Sequence, residues 1–211
     1  MLSYLVDQFQ NSKIFKFTVI LFALLPVWWL SIYFRGLTEG TENDYFTVLY
    51  CVFALIGGVT GWSYAKKWGG WKSSLGKTIY MFTLGLLAQF IGQVFYNYYI
   101  YVLGVEIPYP SVGDILFFGS ILLYIYGSYL LAKISGVNFT LQTLKSKVIA
   151  AIVPVLIIII SFALFGYETD WSNYIVVFFD FGYPIGQAIY VSIALLALLF
   201  SKDILGGMMR R

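Results

Sequence analysis

Histidine is absent from this 211-residue chain. The commonest metal ligand and the usual general base near neutral pH are therefore missing, and neither a metal nor a cofactor is expected. A single cysteine, Cys51, excludes an intramolecular disulfide, and its apolar neighbours mark it as a packing residue. Charge is scarce. Only 11% of residues are Asp, Glu, Lys or Arg, where a soluble domain carries about a quarter. The net charge of +3 is small and dispersed, which excludes nucleic acid as a partner. The N-terminal "MLSYLVDQFQNSKIFKF" has neither the basic start nor the small-residue cleavage site of a secretory signal. Leu2, Leu5, Val6 and Phe9 fall at helical spacing instead, which predicts an interfacial segment over 1–13.

What is abundant is apolar. The chain is 60% hydrophobic and 20% aromatic, with a mean hydropathy of +0.83. No soluble packing hides that much apolar surface, so the solvent must be lipid. Six apolar runs are long enough to span a bilayer, at 15–34, 45–65, 78–102, 114–132, 148–166 and 173–200. They are continuous rather than alternating, which argues against a β-barrel. The expected fold is all-α, one polytopic membrane domain built as a bundle of six transmembrane helices.

The cations set an expected orientation. Lys13 and Lys16 precede the first run. Lys66, Lys67, Lys72 and Lys77 lie between the second and third, and Lys133, Lys145 and Lys147 between the fourth and fifth. Lys202, Arg210 and Arg211 follow the sixth. Twelve of the thirteen basic residues thus fall on one side, with Arg35 the exception. The positive-inside rule places both termini in the cytoplasm of a cell bounded by a plasma (inner) membrane. Trp28, Trp29, Tyr45, Trp62, Trp68, Trp71 and Trp171 near the run ends read as an aromatic belt. An Asn-Phe-Thr glycosylation pattern at 138–140 falls on the cytoplasmic side and is set aside.

Polar residues inside the runs are costly and must face protein. Gln89, Gln93 and Asn97 lie four apart in the third run, along one slowly drifting face, with Gly85 and Gly92 nearby. Asp180, Tyr183, Pro184 and Gln187 form an i, i+3, i+4, i+7 set in the sixth. At about 1.5 Å per residue, Asp180 and Gln93 both lie roughly 10 Å below the outer surface. The two polar faces are therefore expected to meet in the outer half of the bilayer. Ordinary interhelical hydrogen bonding also accounts for the glutamines. Asp180 is a candidate ligand, ion or proton site, as an intramembrane carboxylate is by default, or else an acid bonded to a tyrosine or glutamine. Gly57 and Gly61 form a close-packing pair, while Pro26, Pro154 and Pro184 are expected to kink their helices.

The stretch "EIPYPSVGDILFF" at 106–118 interrupts this pattern. Ser111 followed three residues later by Asp114 and an apolar run is a capping box, with the acid at the positive end of the helix dipole. Pro108 and Pro110 stop the preceding helix. "YPSVGDIL" at 109–116 has a faint echo in "YPIGQAIY" at 183–190, which raises an internal duplication.

These residues carry a resemblance. "GLLAQFIGQVFYNYYIYVLGVEIPYPSVGDILFFGSILLYIYG" and "FDFGYPIGQAIYV" resemble the multi-pass, PYPSxxD-type membrane domain found N-terminal to bacterial and archaeal histidine kinases and diguanylate cyclases, and also free-standing. The resemblance covers about 45–200 and implies a prokaryotic protein of signal transduction, without supplying a ligand. Two departures stand out. Gln187 replaces an acid usual in the second motif, and the sequence ends at "SKDILGGMMRR" where relatives commonly continue into further helices and a signalling domain. Either a longer chain or action through a membrane or signalling partner is then expected.

Four functions follow as alternatives. The leading expectation is a sensory or ligand-binding module, not an enzyme, with a pocket from Asp180, Gln93, Gln89, Asn97, Asp114, Tyr183 and Gln187. Ser111, Pro110, Pro184, Gly57 and Gly61 are assigned structural roles. The second is a small transporter or channel subunit, as a homo-oligomer, using Asp180. The third, an intramembrane enzyme, has only an aspartate pair to draw on. The fourth is a structural accessory subunit.

Overall fold

Five helices long and apolar enough to cross a membrane stand among the described residues of the computed structural model. It describes 12–37, 40–134 and 169–204, with isolated helical positions between 148 and 163. The predicted span at 148–166 is thus described only in part, and most of the 1–13 segment and the 138–140 pattern lie outside. The chain is an all-α, polytopic membrane protein, and the described residues contain no strand.

Helix α1 covers Lys13–Phe34. Ser12 caps it by accepting the Phe15 amide at 3.2 Å. It ends where Gly36 takes φ +68° and the Leu37 and Gly36 amides return to Ile32 and Tyr33, a Schellman ending. Only 11% of its apolar stretch is buried, and among the described residues it packs chiefly on the next helix. The second run begins earlier than expected and is broken once. Helix α2, Thr41–Tyr50, and α3, Val52–Lys67, meet at Cys51, which is buried and directs its thiol to the Val48 carbonyl at 3.0 Å.

A short turn at Gly70–Lys72 leads into α4, Ser74–Asn97, capped by Ser73 through the Gly76 amide at 3.1 Å. A widened turn, Tyr98–Leu103, follows, closed by Gly104 at φ +63°. After the 104–111 loop, in which the Tyr109–Pro110 peptide is cis, comes α5, Val112–Ile134. The last helix, α6, runs unbroken through Pro184 from Tyr174 to Ile204.

Helix α5 is central. It packs on α4 on one side and on α6 on the other, and α3 packs on α4. Small residues set these approaches. A Cβ on Gly57 or Gly58 would meet the Leu86 or Leu87 side chain, and one on Gly61 would meet Thr83, so the glycine face of α3 is a helix contact. Gly92 and Gly113 bring the α4 and α5 backbones together, each lying where a Cβ on the other would be about 3 Å from a carbonyl oxygen. Gly182 and Gly186 seat α6 on Phe118 and Ile121.

The three acid-bearing loops share one end. Arg35 pairs with Glu42, which also accepts the Trp28 indole at 3.0 Å. Thr47 and Tyr101 hydroxyls lie 3.0 Å apart, tying α2 to the widened turn that follows α4. Tyr109 donates to Asp180 at 2.5 Å, tying the 104–111 loop to α6. At the same end the Ser172 hydroxyl and amide hold the Asp170 carboxyl below the usual carboxylate range. The opposite end carries Lys66, Lys67, Lys72 and Lys77 beside a Trp62–Tyr80–Trp71 ring cluster. The aromatic belt therefore gains specific partners at both ends.

Candidate functional site

Asp114 is the most enclosed acid among the described residues, 3% exposed in the first turn of α5. The capping box forms reciprocally. The Asp114 amide donates to the Ser111 hydroxyl at 3.4 Å, and one carboxylate oxygen accepts the Ser111 amide at 2.7 Å. That oxygen also takes the Ser111 hydroxyl at 2.8 Å. The other oxygen accepts the Tyr96 hydroxyl from α4. From α6, Tyr183 donates to the Asp114 backbone carbonyl at 2.8 Å and lies 3.5 Å from the carboxylate. One side chain thus joins three helices. Three donors thus converge on the two carboxylate oxygens, which accept from them all.

Beside it opens a cleft of about 480 Å³, within the range of small-molecule sites. Gln93, Asn97, Asp114 and Tyr183 line it, with Thr47 and Tyr50 from α2. Gln93 is nearly buried, accepts the Tyr50 hydroxyl at 2.6 Å and donates to Asn97 at 3.4 Å. Tyr96, Phe117, Ile100 and Ile107 complete the walls. A second groove of about 490 Å³, lined by Phe53, Ala54, Leu86 and Gln89 among others, shares Tyr50, Gln93 and Phe117 with the first.

The expected meeting of the third and sixth spans is corrected in its details. Asp180 does not reach Gln93. Helix α5 lies between α4 and α6, and Asp180, half-buried, bonds Tyr109 at the rim. Burial, and then the bonded Asp180, push the Tyr109 phenol above its ordinary range, so it stays a donor. Gln89 does not line the cleft beside Asp114. It donates to Ser120 of α5 at 3.3 Å and acts as an interhelical tie. Gln187 is exposed and lines neither cavity. The stripe of α6 that packs runs through Phe179, Gly182, Tyr183 and Gly186, and Gln187 lies beside it. Asp114 is enclosed by protein although it stands in the first turn of its helix. The two Tyr-Pro elements also differ locally, since Pro110 precedes a helix and Pro184 lies within one.

Sequence reasoning missed Thr47, Tyr50, Tyr96 and Phe117. With 18 tyrosines and 19 phenylalanines in the chain, identity alone singles out none of them. Comparison with family models, with curated proteins and with solved structures finds no match to this chain.

Proposed function

We propose that this protein is a membrane ligand-binding module that senses a small molecule through the outer cleft, without chemistry of its own. The convergence of Gln93 and Asn97 of α4, Asp114 of α5 and Tyr183 of α6 on one cleft carries the reading. A ligand there touches three helices, so it can favour one packing arrangement by its differential affinity. The lysine distribution supports an orientation with both termini in the cytoplasm and the cleft facing outward across a plasma membrane. The resemblance to membrane input domains of kinases and cyclases supports a signalling role, exerted through a further domain or a partner protein.

The test is a small-molecule screen by heat unfolding of the full chain in nanodiscs, with Asn97→Trp as control. Compounds that stabilise the native protein should lose their effect when the indole fills the cleft. Stabilisation that persists in Asn97→Trp would place binding elsewhere and remove the basis of the reading.

A further inference from the structure

Resting on the reading of the outer cleft as a ligand site, we infer that its ligand is a small organic cation, a quaternary or protonated amine. Tyr50, Tyr96, Phe117 and Tyr183 are four of the ten lining residues, and ring faces attract cations, most strongly where water is excluded. The cleft contains one acid and no base, which disfavours an anionic ligand. Asp114 receives only neutral donors, and Arg35 is paired with Glu42 instead. A cation in the cleft supplies the counter-charge that the protein does not.

The saturation of Asp114 narrows the class. Its oxygens are already filled by Ser111 and Tyr96, so the carboxylate offers charge rather than a vacant acceptor. A quaternary ammonium, which has no N–H to donate, matches that arrangement best. The approach is favourable as well. Asp44, Glu106, Asp170 and Asp180 stand in the sequence at this end, where the basic Arg35 is already paired. Clefts bordered by one sign of charge concentrate the opposite one.

The shared chemistry is a trimethylammonium group, free or on a lipid headgroup. Choline and its uncharged carbon isostere dimethylbutanol would be titrated calorimetrically into the full chain in phosphatidylglycerol nanodiscs, and again in phosphatidylcholine nanodiscs. Choline should bind at least about tenfold more tightly than the isostere, the difference that attraction of the charge by the lining rings and Asp114 produces. Tyr50→Phe should retain that preference and Tyr50→Leu should lose most of it; neither substitution touches Asp114. Competition by phosphatidylcholine would identify the headgroup as the source, and unchanged binding would identify the free cation. Equal binding of choline and dimethylbutanol overturns the cation class while leaving a ligand site standing. If choline fails to bind and cleft-dependent hits in the screen are all neutral or anionic, the class also falls alone. If no compound binds in a cleft-dependent way, both readings fall.

Discussion

Asp114 holds the start of α5, the end of α4 and the middle of α6 with one carboxylate and one carbonyl. Replacement by Asn keeps the shape but turns an amide toward donors of Ser111, leaving buried groups unpaired. We expect Asp114→Asn to destabilise by about 1–3 kcal/mol in chemical unfolding of the detergent-solubilised protein. Asp180→Asn, at the half-buried rim, should cost less than about 1 kcal/mol. Equal losses would show that Asp114 has no special structural weight. Ser111→Ala removes the cap and should cost about 1 kcal/mol in the same measurement. The cap was legible in the sequence because its partners lie three residues apart. The Tyr96 and Tyr183 bonds to Asp114 were not, since they span 18 and 69 positions and depend on how helices rotate against each other.

Among the elements, the α4–α5 contact positions the cleft. A methyl on Gly113 would lie 2.5 Å from the Tyr96 ring, on the side chain that binds Asp114. Gly113→Ala should therefore swing Tyr96 away and destabilise by about 1–3 kcal/mol. Gly119 lies on the same helix with nothing within 4 Å of its would-be methyl. Gly119→Ala should be neutral or stabilise by up to about 1 kcal/mol through helix propensity. Heat unfolding of the two variants side by side checks this, and a larger loss at Gly119 would contradict the packing described. Element existence and approximate extent were readable from apolar run length for α1, α4, α5 and α6. The break at Cys51 was not, because the run 45–65 is uniformly apolar across it. The Gln187 error has a related cause. Spacing defines a helix face but not which part of that face a neighbour covers, and Gly182 and Gly186 turned α6 so that Gln187 lies outside the contact.

For the whole molecule, the division into a lysine-rich end and an acid-rich end is the feature on which the proposed orientation of the cleft rests. It was visible in the sequence, and the bonds from Thr47 to Tyr101 and from Tyr109 to Asp180 join the acid-bearing segments at one end. The cleft lies beside them. In a Cys51→Ala background, single cysteines at Asn97 and Ser73 would be exposed to a membrane-impermeant thiol reagent in intact cells. Labelling of Asn97→Cys from outside, with Ser73→Cys labelled only after permeabilisation, is the predicted result. Labelling of Ser73→Cys in intact cells while Asn97→Cys waits for permeabilisation would invert the protein and contradict an outward-facing binding cleft.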